Sequence, residues 1–274
     1  MPRRVDVTPD QILRGFDALA DIYAHVPPLI MWRAWEFAAY RGVALPEPVL
    51  DVGCGDGRFF HRTFPGVTEV HGVDHNAQAV ELARQSGFYR QVHHAPAHTI
   101  PAPDGAFASA FANCSLEHMD ELDSVLGEVW RVVRPGGVFL LSVVSDAFTQ
   151  WSPLARVLTM CGAANAGRLV QMQHEDYHHL VNPLPIETWL SRINRAGFQV
   201  RQWTPLADGV AGWMFLLLDQ VWHVPTDDAE VGTELEGYLS AATRRVPALR
   251  KIFAGLLELD MGLPAAGAVV VATR

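Results

Sequence analysis

Cysteine is scarce in this sequence, and long apolar runs are missing. Three cysteines are present, an odd number at spacings that fit neither a disulfide framework nor a zinc site. A reducing cytoplasm is therefore the expected compartment. The longest apolar run, residues 210–218, is about half of the roughly 20 residues that cross a bilayer. No apolar run follows the first residues, so we expect neither a membrane span nor a secretory signal.

Positive charge is also in short supply. The formal net charge of −9 argues against a nucleic-acid partner, because proteins that bind a phosphate backbone carry a basic patch or stripe. Charged residues make up only 19% of the 274 residues and hydrophobic residues 49%, which favours a large core over disorder. A chain of this length fits one α/β domain with insertions.

Two kinds of periodicity divide the first half of the chain. Apolar residues recur at helical spacing over 9–40, and Pro27 and Pro28 divide this stretch into two predicted helices. After Pro46, short buried strands alternate with amphipathic segments, which is typical of a parallel sheet covered by helices. The predicted strands lie near 49–52, 69–73, 108–112 and 138–144, and the predicted helices near 78–86 and 124–133.

The second half is less regular. We predict a helix over 186–196 that ends at Gly197, a strand over 198–203 and a final strand over 268–272. The intervening insert, about 207–262, is expected to form a helical lid. The predicted organisation is one domain over 1–274, with cap helices over 1–45, an α/β core over 46–145, and a half over 146–274 that carries the insert.

A glycine-rich turn follows the first buried strand of the core. The strand over 49–52 runs into Gly53, Gly55 and Gly57, and backbone without Cβ atoms can approach a ligand closely there. About 20 residues further on, the second strand ends at Asp74, whose carboxylate can accept both hydroxyl hydrogens of a ribose. The two features together predict a cofactor that contains adenosine.

A nicotinamide dinucleotide is the alternative cofactor, because its fingerprint is also a strand, a Gly-x-Gly-x-x-Gly turn and a distant acid. In this sequence the third glycine is Gly57, and Arg58 stands where that fingerprint has its last glycine. The dinucleotide spacing is therefore not met.

Four ordered motifs carry a family resemblance. The first is an Asp-x-Gly-x-Gly-x-Gly pattern that begins at Asp51 and is joined by Asp74; the other three are the segments 103–107, 113–118 and 128–137. This set resembles the class I S-adenosylmethionine (SAM)-dependent methyltransferases, in their small-molecule, type 11-like group. The resemblance implies SAM as cofactor and S-adenosyl-L-homocysteine as product. It also implies a doubly wound, Rossmann-like α/β fold with a mostly parallel seven-stranded sheet, N-terminal cap helices and a helical lid insert.

The resemblance also assigns residues to parts of the cofactor. The positions implied along its methionine part are Asp51, Gly53, Cys54 and Gly55. Asp74 would bind the ribose hydroxyls and His75 would lie beside the adenine. Asn113 and Cys114, at the end of the fourth strand, would lie near the sulfonium.

The adenine end departs from the family pattern. Members often have an acid before the loop that follows the third strand, where this chain has Pro96, which accepts only through its carbonyl. Recognition of the adenine amino group is then expected from backbone near Ala97 or from His98.

The N-terminal helices are expected to cover the cofactor and carry Tyr23 and Arg33. Arg33 can meet the methionine carboxylate with a bidentate fork. The alternative is an ordinary helix pair between Arg33 and Glu36, three residues further on.

Two groups of residues are candidates for the general base. His118 follows the fourth strand at the carboxyl edge of the sheet, where it can take a proton from an acceptor or only pack the turn. Tyr177 and His178 lie in a second segment, which by resemblance lines the acceptor pocket. His174 and His178 can also hold a metal if that segment is helical. The sequence offers no clear third ligand, and we expect no metal.

The predicted function is methyl transfer from SAM to the oxygen, nitrogen or carbon of a small, rather apolar metabolite. Two alternatives remain: an enzyme of the same fold that uses SAM without methyl transfer, as a lyase or cyclase, and a non-catalytic SAM-binding protein. The expected partner is the small-molecule acceptor, and the expected state is a monomer or homodimer.

Overall fold

A single mixed sheet organises the molecule. The computed structural model describes residues 2–242, 244–259 and 262–274. The strands of the described residues are β1 Arg3–Arg4, β2 Val49–Val52, β3 Val70–Asp74, β4 Gln91–His94, β5 Phe107–Asn113, β6 Val133–Val144, β7 Gln199–Leu206 and β8 Gly267–Thr273. Their order across the sheet is β1-β7-β8-β6-β5-β2-β3-β4.

Helices cover both faces of this sheet. The first group is α1 Pro9–Tyr23, α2 Pro27–Tyr40, α3 Arg58–Thr63, α4 Ala77–Gln85, α5 Leu122–Val132 and α6 Asp146–Gln150. The second group is α7 Pro153–Met160, α8 Ala164–His178, α9 Ile186–Arg195, α10 Gly209–Trp222, α11 Val231–Ala241 and α12 Arg245–Leu257. A short 3-10 helix, Leu116–His118, follows β5. No helix among the described ranges is long and apolar enough to cross a membrane.

The sheet is parallel except at its last strand. β2 pairs in parallel with both β3 and β5, whereas β8 runs antiparallel between β6 and β7. Every residue of β2 is buried, as expected for a strand with helices on both faces. The chain crosses to opposite sides of β2 to form β3 and β5, so a crevice opens at the carboxyl ends of these strands, where open α/β sheets bind ligands.

Two apolar cores lie on opposite faces of the sheet. The first contains Phe16 of α1, Trp35 of α2 and Phe253 of α12, and the second contains Leu126 of α5 and Trp189 of α9. The Phe253 ring centroid lies 5.2 Å from that of Trp35. The insert therefore packs against the cap helices and belongs to the first core.

The doubly wound, mostly parallel fold is confirmed, but three details were predicted wrongly or missed. The sheet has eight strands instead of seven, because Arg3–Arg4 adds a short edge strand beside β7. The segment around Tyr177 is the end of helix α8, which continues to His178. β4 had no predicted counterpart, since only Val92 of its four residues is buried.

Candidate functional site

The glycine turn after β2 has the conformation that the sequence predicted. Gly53 and Gly55 have φ values of 70° and 54°, in the left-handed region that favours glycine. A Cβ atom on Gly53 would lie 2.5 Å from the Cβ of Ser115. A Cβ atom on Gly55 would meet no described atom within 4 Å. The turn is therefore tight on one side and leaves open space for a ligand on the other.

Asp74 organises this turn from the end of β3. The backbone N–H of Gly55 donates to Asp74 Oδ2 at 3.0 Å, and that of Asn76 donates to Asp74 Oδ1 at 2.8 Å. An ionised carboxylate has about four lone-pair sites, so each oxygen can accept one further hydrogen bond. The side chain is 10% exposed, which leaves the carboxylate reachable by the two hydroxyls of a ribose.

A cavity of about 230 Å³ opens beside Asp74. It is lined by Gly53, Val73, Asp74, His75, Ala95, Pro96, Ala97, His98, His118, Met119, Asp120, Glu121 and Val125. We call it the cofactor cavity. Five of the residues assigned to SAM in the sequence analysis thus share one cavity, and Pro96 lines it where the family often has an acid.

Asp51 and Cys54 are placed differently. Asp51 is buried and its Oδ2 accepts a 2.7 Å hydrogen bond from the Tyr89 hydroxyl, while loss of solvation raises the pKa of this carboxyl to about 7. The thiol of Cys54 packs in a small apolar cluster with Val80. A contact from Cys54 to the cofactor must therefore come from its backbone.

The remaining assigned cofactor residues already have protein partners. Arg33 Nη1 lies 2.6 Å from Glu36 Oε2, so the ordinary helix pair is formed. The Arg33 guanidinium also lies 4.9 Å from the ring centroid of Phe59, against which Tyr23 packs at 6.4 Å.

The polar ends of Asn113 and Cys114 face the cap helix α2. Asn113 Oδ1 accepts a 2.8 Å hydrogen bond from the Tyr40 hydroxyl. The Cys114 thiol donates to Glu36 Oε1 at 2.9 Å, and the same oxygen accepts a 2.6 Å bond from the Ser142 hydroxyl. Burial is the largest cause that raises the pKa of this thiol well above its usual value. Glu36, predicted only as a partner of Arg33, is buried and bonded to Ser142, which is 106 residues away in the chain.

A second cavity of about 180 Å³ lies next to the first. It is lined by Leu29, Trp32, Arg33, Cys114, Glu117, His118, Val144, Phe148, His178, Leu180, Phe215 and Asp219. We call it the acceptor cavity. A water molecule takes about 30 Å³ of liquid, so this cavity admits a small organic group. Its wall is mostly apolar and aromatic, as in most small-molecule sites.

His118 lines both cavities. Its Nδ1 lies 3.3 Å from the carbonyl oxygen of His179. When Nδ1 carries the proton and donates this bond, Nε2 keeps a free lone pair. Burial lowers the pKa of His118 below its ordinary value of 6.5. The imidazole is therefore neutral at neutral pH and able to accept a proton.

Glu117 is a site residue that the sequence analysis missed. It is fully buried, and neither carboxylate oxygen has a hydrogen-bond partner among the described residues. Burial raises its pKa to about 7. Its backbone carbonyl accepts hydrogen bonds from the N–H groups of Val181 and Asn182, both at 2.9 Å. These bonds fix the segment after α8 against the 3-10 helix and leave the carboxyl group directed at the acceptor cavity wall.

Tyr177 and His178, the other candidates for the general base, lie in different surroundings. His178 lines the acceptor cavity, and its Nε2 lies 2.8 Å from Asp219 Oδ2. Tyr177 is not among the residues that line either cavity, and its ring stacks on His223 with centroids 3.6 Å apart. Asp219 comes from α10, and the only sequence signal for it was a single acid within an apolar run.

Comparisons with known proteins find similarity to methyltransferases. Residues 50–141 match the family described as a methyltransferase domain. A malonyl-acyl-carrier-protein O-methyltransferase of Serratia marcescens is 27% identical over 151 residues, which cover 48% of this chain and 58% of that protein. This chain thus spans little more than half the length of that relative. A ubiquinone biosynthesis O-methyltransferase of Nitrosococcus oceani is 26% identical over 216 residues, 74% of this chain and 87% of that protein.

A solved structure extends the likeness of fold to the whole chain. The crystal structure of the (4+2)-cyclase SpnF has a TM-score of 0.56 and 18% identity, with 100% of this chain and 98% of that one covered. The sheet order, the glycine turn and the Asp74 cavity define an α/β protein with an open crevice at the carboxyl ends of its central strands. Over residues 50–141 the chain is thus similar to the methyltransferase-domain family, and the relatives named above are O-methyltransferases.

Proposed function

We propose that this protein transfers the methyl group of SAM to a small molecule bound in the acceptor cavity. The observation that carries the proposal is the position of His118, on the wall of both the cofactor cavity and the acceptor cavity. A methyl donor and its acceptor must meet in line at one point. A residue that faces both spaces lies where that meeting is possible.

The cofactor cavity has the features that the cofactor requires. The free lone pairs of Asp74, which lines this cavity together with Gly53, support a ligand with an adenosine part. Asp74 would hold the ribose hydroxyls, while Ala97 and His98 would border the adenine. When bound, SAM supplies an electrophilic methyl group on a cationic sulfur, so the protein need only align the acceptor and remove its proton.

His118 is the proposed general base. Its lowered pKa keeps the imidazole neutral, and the bond from Nδ1 to the His179 carbonyl directs Nε2 away from the protein backbone. Glu117 lines the acceptor cavity, and its carboxylate oxygens have no hydrogen-bond partner among the residues that the structure describes. It would accept a hydrogen bond from the acceptor, or donate one when protonated. Burial of an unpaired polar group is costly, so a polar group of the acceptor beside Glu117 would relieve that cost.

The acceptor is proposed to be rather apolar, with at least one polar group. The apolar wall includes Trp32, Phe148 and Phe215, which suits a hydrophobic body, and Glu117 suits a hydroxyl or amine. The ubiquinone biosynthesis enzyme named above supports a small-molecule class. The net charge of −9 speaks against nucleic acid as acceptor.

Two successive measurements test the proposal. Calorimetric titration of the purified protein should show binding of both SAM and S-adenosylhomocysteine. Incubation with methyl-labelled SAM and extracts rich in phenols, amines and quinone precursors should then move the label to a small molecule. No binding would contradict the assignment of the cofactor cavity. Label that leaves as methylthioadenosine, or stays on SAM while an acceptor is converted, would replace methyl transfer with another use of SAM.

A further inference from the structure

Helices α8 and α10 bring three metal-ligating side chains together beside the acceptor cavity. His174 and His178 are four residues apart in α8, so they project from one face of that helix. Asp219 projects from α10, 45 residues after His174. Their ligand atoms all lie within 4.8 Å of one another. The sequence indicated no third ligand for the two histidines, and the fold brings Asp219 beside them.

The contacts within this group converge on one atom. The Nε2 atoms of His174 and His178 each lie 2.8 Å from Asp219 Oδ2. The side chains of His174 and Asp219 are 3% and 8% exposed. A carboxylate oxygen has two lone pairs, so both imidazoles can donate to Asp219 Oδ2 when no ion is bound. A metal ion would take the place of the two N–H hydrogens between the same three ligand atoms.

We propose that His174, His178 and Asp219 bind a divalent transition-metal ion through two imidazole nitrogens and one carboxylate oxygen. This donor set suits zinc and its neighbours in the first transition row. Three protein ligands leave a coordination position open, as in catalytic metal sites and unlike closed structural ones. His178 and Asp219 line the acceptor cavity, so the open position faces that space.

Surrounding groups hold the three ligands in place. His223 Nε2 lies 3.7 Å from Asp219 Oδ1, and His223 Nδ1 lies 2.8 Å from Glu230 Oε2. The ring of Phe148 stacks on His174 with centroids 5.3 Å apart. Outer groups of this kind orient ligands and commonly accompany functional metal sites.

The role of the ion follows from its position and rests on the proposed function. An oxygen atom of the acceptor would complete the coordination, and the positive ion would favour the deprotonated form of that oxygen. The acceptor class is thereby narrowed to molecules with a hydroxyl or carboxylate group. Binding of the metal itself does not depend on methyl transfer and can be tested alone.

The test uses the full-length protein, stripped with a chelator and titrated with Co²⁺ as a visible probe. We expect absorption bands of a four- or five-coordinate Co²⁺ ion at one equivalent, and their loss when Zn²⁺ is added. His174→Ala and Asp219→Asn should each weaken Co²⁺ binding at least tenfold. The matched control is Asp176→Asn, which removes an exposed carboxylate from the same helix and should leave the titration unchanged.

Folding of the variants is checked separately. S-adenosylhomocysteine binding by calorimetry reports on the cofactor cavity, which shares none of the three ligands. His178→Gln at a half-buried position gives a further variant if His174→Ala does not fold. Absence of a Co²⁺ spectrum in the wild type, or equal binding in the ligand variants and Asp176→Asn, would overturn the proposal. Co²⁺ binding at these residues without any labelled product would keep the metal site and contradict only the proposed function.

Discussion

Asp74 joins the glycine turn to the cofactor cavity through a single carboxylate. Asp74→Asn keeps one acceptor oxygen but removes the charge and half of the acceptor capacity beside the ribose. We expect SAM affinity to fall by about 1 to 3 kcal/mol, the usual cost of an unsatisfied or weakened buried hydrogen bond. Calorimetric titration measures this loss. Asp104→Asn, on the exposed ion pair with Arg131, is the control, and equal affinities for both variants would show that the cofactor lies elsewhere.

His118 should control the rate and its pH dependence. His118→Ala is expected to lower kcat by about 10² to 10⁴, the usual contribution of a general base. SAM affinity should change far less, because the cofactor cavity has many other contacts. The lowered pKa of the imidazole keeps the base free at neutral pH, so activity should fall only below the ordinary histidine value of 6.5.

Steady-state kinetics across pH with the true acceptor check both parts of the His118 prediction. The acidic limb of kcat/KM should lie below pH 6.5 in the wild type and disappear in His118→Ala. His178→Ala is the comparison, because His178 also lines the acceptor cavity. A larger loss of kcat in His178→Ala would move the base to α8. Losses of kcat below about tenfold in both variants would mean that alignment of the acceptor with the methyl group suffices, without a general base.

Glu117 should make stability depend on pH. Its pKa of about 7 in the folded protein lies above the ordinary value of 4.5. A raised carboxyl pKa means that folding favours the protonated form, so its stabilising effect is complete at acidic pH and disappears as the pH rises through 7. Glu117→Gln stays neutral throughout. Its free energy of unfolding relative to wild type should therefore rise by about 1 to 3 kcal/mol between about pH 5 and pH 8.

Urea unfolding at both pH values measures the Glu117 effect, and the shared contribution of Asp51 cancels in the comparison. Glu187→Gln removes an exposed carboxylate at the start of α9 and serves as the control. A difference between Glu117→Gln and wild type that does not vary with pH would show that Glu117 finds a partner when ionised.

At the scale of elements, the crossing of α1 and α2 depends on Gly15. A Cβ atom there would lie 2.5 Å from the carbonyl oxygen of Ala34, so Gly15→Ala must push the two helices apart. We expect a loss of about 1 to 3 kcal/mol, as for other overpacked sites. Gly127→Ala in α5, where an added Cβ would meet nothing within 4 Å, should instead gain about 0.5 to 1 kcal/mol. Chemical denaturation measures the change in the free energy of unfolding for both variants. Changes of similar size and the same sign would contradict the close approach of α1 and α2.

The elements that the sequence predicted well are those with a strong local pattern. The predicted limits of the buried strand β2 and of the amphipathic helix α5 lie within two residues of those observed. Helix α8 carries mostly polar residues and only two buried positions, Gly167 and His174, so no apolar stripe indicated it. β1 exists through its pairing with β7, a long-range contact without a local signature.

The difference between local patterns and long-range contacts also explains which site residues the sequence predicted. The glycine turn and Asp74 are defined by short spacings that the sequence alone shows. Glu36, Glu117 and Asp219 become site residues only through contacts across the fold, as the 2.6 Å bond from Ser142 to Glu36 illustrates. Sequence periodicity reports which residues are buried, but not which distant polar group is buried beside them.

At the scale of the whole molecule, the division of the chain remains a prediction that unfolding can test. β6 of the predicted core pairs with β8 from the end of the chain, and β8 pairs with β7. The cap helix α2 is buried beneath α10, where the ring of Trp32 lies 5.3 Å from that of Phe215. Unfolding either half would therefore expose the core of the other. Such sharing of contacts favours one cooperative transition over two.

We accordingly expect coincident thermal transitions by far-ultraviolet circular dichroism and tryptophan fluorescence, and a common shift on adding S-adenosylhomocysteine. At a ligand concentration of 100 times Kd, binding contributes about 2.7 kcal/mol, which raises Tm by roughly 5 to 10 °C in a protein near this size. Asp74→Asn should show a smaller shift at the same concentration. Two separate transitions, with only one moved by the ligand, would show that the cap and insert helices form a unit that unfolds independently of the cofactor-binding core.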